Sequence, residues 1–278
     1  MSLSTFSQVL SRAVRDIAER GYTDAERIER WTAEIRRAAL AELGPDERAE
    51  FASNFSLDAI FKRLFDRGKI TDYVPGVTRY TLEIVKPKAR AELDRRILAS
   101  ADLIKLRRRE SIEGTLARFA GWSTSIPPGG ANVIDLREVR ANIAKPLARE
   151  KYERRRVLID QGHKLLANVN HIVATEAGAI AGEWHDHGEH DPSYDARKTH
   201  MARARKIYLM RGSWALERKY IKPLHGYMDE ITAPGEEVSC KCFYRYIASL
   251  RRLPDEFLTD KGREWIRTSA SRAAAQAA

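Results

Sequence analysis

Histidine and cysteine are the residues through which this chain could do chemistry, and one stretch gathers them. Five of the seven histidines, His163, His171, His185, His187 and His190, fall within 28 residues, and His200 and His225 follow. Both cysteines, Cys240 and Cys242, close the stretch in PGEEVSCKCFYRY. Imidazole nitrogen and thiolate sulfur are zinc donors, and about four of them make a closed structural site. Two thiolates on one strand face, with one or two histidines from the preceding loop, would complete such a site. The C-x-C spacing argues for reduced thiols. On an extended segment the two side chains point the same way but stand roughly 6–7 Å apart, at about 3.3 Å per residue. A disulfide needs its Cβ atoms near ~4 Å.

A second metal reading competes. HDHGEH (185–190) has the H-x-H-x-x-H skeleton of metallo-β-lactamase-type hydrolases. In that family an aspartate precedes the last histidine, where this chain has Glu189. The motif there follows a strand and leads into glycines. Here ATEAGAIAGEW, read as a helix, comes before it and DPSYD after it. A metal-dependent hydrolase or nuclease built on His185–His190 is therefore the rival, and it requires a strand before His185. Other catalytic signatures are missing: the sequence has no G-x-x-x-x-G-K-[ST], no H-E-x-x-H and no G-x-S-x-G. The expectation is a protein that is not an enzyme.

The elements that must position these groups read as mostly helical. Phe6, Val9, Leu10, Val14 and Ile17 form one helical stripe. Thr23 could cap a second helix carrying Ile28, Trp31 and Ile35, which Gly44-Pro45 ends. A third helix lies near 56–66. VTRYTLEIV (77–85) suggests a short strand, and a helix follows from about 88 to 119. SIPPGGANV (125–133) is the clearest linker. A long helical stretch runs from about Asp135 to Gly182, with Pro146 as a potential break. The alternation of Val238, Cys240, Cys242, Tyr244 and Tyr246 predicts a strand with both cysteines on one face. An amphipathic helix closes the chain.

The 278 residues carry 49 Lys and Arg against 39 Asp and Glu, a net charge of +10. That balance favours acidic partners such as nucleic acid or an acidic protein surface. Two basic triplets, Arg107-Arg108-Arg109 and Arg154-Arg155-Arg156, are the candidate phosphate contacts. A plain nucleic-acid-binding protein would bring them onto one face and bind less tightly as salt rises. The N-terminal MSLSTFSQVL has no apolar run of signal-peptide length, and no run of about 18 apolar residues offers a membrane span.

The order of residues in the key stretch resembles a known family. A D-Q-x-x-K helix start (Asp160, Gln161, Lys164) is followed by Asn170, Glu176 and Trp184. Then come D-x-R-x-x-H (Asp195, Arg197, His200) and PGEEVSCKC (234–242). This looks like the phage head morphogenesis family typified by the Mu F-like minor head proteins, over roughly 155–246. The resemblance implies a minor virion protein that associates with the portal or major capsid protein during head assembly in the host cytoplasm. It further implies possible non-specific contact with packaged double-stranded DNA. Carried over residue by residue, it marks His200, Cys240 and Cys242 as a structural centre held by zinc, with His187 or His190 as the fourth ligand. It also suggests an ion pair between Asp195 and Arg197. The expected architecture is mostly α (α+β), with a helical region 1–130, a head-morphogenesis domain 131–248 and a helical tail 249–278.

Overall fold

The computed structural model describes residues 5–22, 24–131, 133–186 and 198–277. The chain is mostly α with one small sheet. Helices α1 (Phe6–Arg20), α2 (Ala25–Leu43), α3 (Glu47–Phe65), α4 (Arg79–Ser125) and α5 (Leu136–Glu176) come first. Strand β1 (Ala181–His185), the short helix α6 (Lys198–Met201), β2 (Ile207–Leu209) and the short helix α7 (Trp214–Glu217) follow. Strand β3 (Phe243–Ile247) and α8 (Asp260–Ala277) complete the order. None of the described helices is long and apolar enough to cross a membrane.

Two compact units interleave along the chain, Met1–Asn54 with Ile97–Leu158, and Phe55–Arg96 with Ile159–Ala278. The boundary expected at 130 falls inside the first of them. In that unit, Thr5 and Gln8 form a capping box that starts α1. The expected stripe is buried: Phe6, Val9, Leu10, Val14 and Ile17 join Ile35 of α2, Phe119 of α4 and Ile143 of α5 in one core. Each such large side chain, fully removed from water, contributes about 1.5–3 kcal/mol. Asp24 caps α2 by accepting from the Arg27 amide; Thr23, expected in that role, lies outside the described residues.

The second unit carries the key stretch. Its helical part buries Leu57 and Phe61 of α3, Val85, Ala89 and Leu93 of α4, and Leu165, Val169 and Val173 of α5. Gly162 lets α3 come close to α5: a Cβ there would stand 2.7 Å from Ile60 Cδ1. Glu92 ties α4 to α5 by accepting from Asn168 at 2.8 Å. The sheet has the order β2-β1-β3, antiparallel throughout. Ala181 pairs with Leu209 on one side and Ile247 on the other, and His185 pairs with Phe243.

Three expectations about elements are corrected. Residues 77–85 are not a strand; α4 begins at Arg79, and Thr78 accepts from the Thr81 amide at its start. Val85, Ala89 and Leu93 repeat at four-residue spacing and are all buried, so one helical period overrides the β-branched residues ahead of it. Helix α5 runs through Pro146 but ends at Glu176, six residues earlier than expected. Gly178, at φ +71, turns the chain out of the helix. AIAGEW then enters β1 instead of prolonging α5.

Candidate metal centre

Trp184, near the end of β1, is fully buried. The turn after α6 returns to it. Arg205 donates its amide to the Trp184 carbonyl at 2.8 Å, and the Trp184 amide donates to the Lys206 carbonyl at 2.9 Å. This pairing sets His200 of α6 beside the indole, with ring centroids 5.2 Å apart and nearly perpendicular. Arg203 covers another part of the indole at 5.2 Å and donates to Thr232 Oγ1 at 2.8 Å. His200 is 4% exposed.

The cysteines come from a turn, not from the strand. Strand β3 starts only at Phe243. The alternation seen in the sequence holds from Cys240, buried, to Tyr244 and Tyr246, also buried, but the backbone at Ser239 is left-handed, at φ +62. A non-glycine residue in that region needs local support. Asp160 of α5 supplies it by accepting the Ser239 amide at 2.6 Å. Lys164 neutralises the same carboxylate at 3.0 Å. Earlier in the loop, Gly235 at φ +79 lies against α5: a Cβ there would meet Ala167 Cβ at 3.1 Å and the His163 carbonyl oxygen at 3.2 Å. The first turn of the D-Q-x-x-K motif and the PGEEVSCKC loop are thus directly bonded.

At the centre, Cys240 Sγ and Cys242 Sγ stand 3.6 and 3.7 Å from the same atom, His200 Nδ1. The three donor atoms lie within 4.8 Å of one another. A tetrahedral ion with zinc-like bond lengths of about 2.0–2.3 Å sets nitrogen–sulfur edges of about 3.6 Å. One ring nitrogen can share a single proton with one sulfur at a time, so two sulfurs converging on it suit a shared cation better than a hydrogen bond. His200 Nε2 faces Glu237 Oε1 at 3.3 Å. A carboxylate on the far nitrogen holds its proton there and turns the Nδ1 lone pair to the sulfurs, as partners of metal-bound histidines do. The buried group His200, Cys240 and Cys242 could hold a metal ion.

The thiols respond to each other. A hydrogen bond from Cys242 holds the Cys240 thiol well below its ordinary value. The same contact, with burial added, pushes Cys242 up, while the Trp184 indole N–H pulls it the other way. The first proton of the pair therefore leaves more easily than the second, and a bound cation would displace both. Both thiols are free, as the C-x-C spacing predicts.

The other histidines among the described residues do not join the centre. His171 meets the Tyr246 hydroxyl at 3.2 Å, and burial lowers its pKa. His225 binds the Ile207 backbone at 3.2 Å. His185 stacks on Phe243, with centroids 5.1 Å apart and planes 10° from parallel, and its Nδ1 accepts from the Arg205 guanidinium at 3.2 Å. His187, His190, Asp195 and Arg197 lie outside the described residues. A strand does precede His185, which removes one of the two contextual objections to the hydrolase rival.

The basic triplets are not equivalent side chains. Arg108 is 5% exposed. Its guanidinium donates to the carbonyls of Leu43, Gly44 and Pro45 at the end of α2, so it is a buried helix cap and not a phosphate contact. Arg107 pairs with Glu110 at 2.7 Å, Arg154 stands 3.7 Å from Glu150, and Arg156 lies over the Tyr152 ring at 5.7 Å. Arg109 and Arg155 are exposed. The residues that sequence reasoning left without a role are Glu237, which aims His200, and Arg203, which covers Trp184. Comparison with family models, curated proteins and solved structures finds no match for this chain.

Proposed function

We propose that the chain is a structural protein of a phage head, a minor head protein that joins the portal or the capsid interior, with a zinc ion pinning its second unit through His200, Cys240 and Cys242. One observation carries the reading. Residues that the family resemblance picks out far apart in sequence meet in space: Asp160 holds the Ser239 turn, Trp184 packs on His200, and His200 faces both cysteines. A shared motif whose members support one another has a structural reason for its order. The donor set fits zinc, since two thiolates and an imidazole are borderline-soft ligands. When bound, the ion supplies a cross-link between loop and turn. His200 and Cys240 are almost fully buried, which suits a closed structural site.

One experiment tests the assembly role. Co-expression with the portal protein encoded by the same genome should give a complex that co-sediments, and Cys240→Ala should weaken it. A chain that sediments alone beside assembled portals and capsids contradicts the role. The hydrolase reading keeps one favourable observation, the strand before His185. Zinc- or manganese-dependent cleavage of DNA or of an activated phosphodiester, lost in His185→Ala but kept in Cys240→Ala, would establish it instead.

A further inference from the structure

In the second unit a cavity of about 730 Å³ opens beside α5 and β3. It is of the size that takes one or two residues of a ligand. Its wall contains Asn170, which is 2% exposed and whose carboxamide Oδ1 and Nδ2 both lack a partner. The Tyr244 hydroxyl, also in the lining, is buried and unpaired as well. Neighbouring polar groups are satisfied: Asn168 bonds Glu92, and His171 bonds Tyr246. Buried polar groups are almost always paired, and an exception needs a reason. A carboxamide presents a donor and an acceptor side by side. One residue of an extended peptide turns its own N–H and C=O to the same side, and the two fit each other.

The rest of the wall narrows the ligand. Met210, Met228 and Phe243 give it an adaptable apolar part. Asp229, Glu230 and Glu236 line it against a single guanidinium, Arg211, and Arg211 is engaged by Asp229 at 2.9 Å and Glu230 at 2.7 Å. The surplus of carboxylates repels phosphate and favours a neutral or basic ligand. We infer that this cavity binds an extended, neutral or basic peptide segment of a partner protein, whose backbone pairs with Asn170 and whose apolar side chain sits among Met210, Met228 and Phe243. The inference stands apart from the metal centre and from the head-assembly role.

The chain has four methionines, so methyl-labelled methionine gives a readable spectrum of the whole protein. The probe is the capped tripeptide acetyl-Lys-Phe-Lys-amide, beside the same peptide N-methylated at Phe, acetyl-Glu-Phe-Glu-amide and adenosine monophosphate. Saturable shifts at Met210 and Met228, with Met201 unmoved, are expected for the first peptide. N-methylation removes one backbone donor and should weaken binding about tenfold. Asn170→Leu, close in shape, should abolish the shifts while leaving the melting temperature equal or higher, because an unpaired amide is removed. If that variant folds poorly, Asn170→Asp reads the same loss of a donor, and the N-methyl comparison needs no variant. No shift up to about 5 mM peptide, binding indifferent to N-methylation, or tighter Asn170-dependent binding of adenosine monophosphate would each overturn the inference.

Discussion

Replacing Asp160 by alanine removes a side chain that holds the cysteine turn to α5. Its Oδ1 accepts the Ser239 amide at 2.6 Å and its Oδ2 meets Lys164 at 3.0 Å. The carboxylate side chain is 12% exposed and the Lys164 side chain 17%, so water compensates little of the loss. A hydrogen bond to a charged group contributes about 1.5–3 kcal/mol, and the Ser239 N–H would lose its acceptor. Lys164 would also lose its partner. The expected cost is about 2–4 kcal/mol. At about 2–4 °C per kcal/mol for a chain of this size class, the melting temperature should fall by roughly 4–16 °C. Because the turn carries Cys240, zinc affinity should fall about tenfold to a hundredfold, the range seen when partners of metal ligands are lost. Asp160→Asn keeps an acceptor for Ser239 and should lose clearly less. Thermal melting by circular dichroism and zinc competition with a chromogenic chelator read the two effects. A loss under about 0.5 kcal/mol with unchanged zinc affinity would refute the claim that α5 positions the centre.

Other expectations can be checked in the same assays. Arg108→Ala should cost about 2–4 kcal/mol, since it strips the cap from α2, whereas Arg109→Ala should stay within about 0.5 kcal/mol; equal effects would contradict the assigned burial. Gly235→Ala should cost about 1–3 kcal/mol, from the left-handed φ and the close approach to Ala167, and should loosen zinc as well. Burial alone would raise the Glu92 pKa, but hydrogen bonds from Asn168, Arg96 and Arg95 outweigh it, and the net shift is downward. Its stabilising contribution is therefore complete above the ordinary carboxyl value of 4.5 and is lost as pH falls through the lower folded value. Melting followed from pH 6 to about pH 3 should lose stability more steeply in the wild type than in Glu92→Gln, and parallel curves would contradict this.

The sequence was a good guide where one period governs a long segment and a poor one where short segments depend on neighbours. The stripe from Phe6 to Ile17 needed no partner to be legible. Residues 77–85 misled because threonine, tyrosine and valine suggest a strand locally, while the buried Val85, Ala89 and Leu93 carry a helical repeat beyond that window. Strand β1 is five residues long and β2 only three, too short to show alternation against the apolar end of α5; Gly178 was the available stop signal. Arg108 looked like one of three surface arginines. It stands four residues from both Ile104 and Ile112, which are buried, so its place on the apolar stripe was readable. For the centre, Cys240 and Cys242 were legible from the C-x-C pair, while His200 was singled out by the motif order and not by the histidine count, which also gathered His171 and His225. The pairing of His200 with Glu237 spans 37 residues of chain, and only the folded turn brings the two together.

The central claim is that His200, Cys240 and Cys242 hold a metal that pins the fold. Its most direct test is the metal content of the full chain refolded in zinc and freed of excess, measured beside Cys240→Ala and His200→Ala. The account predicts about one zinc per chain in the wild type, little in either variant, and a melting temperature that chelator lowers only in the wild type. A wild-type chain that retains no zinc, or variants that retain as much and melt alike, would contradict it.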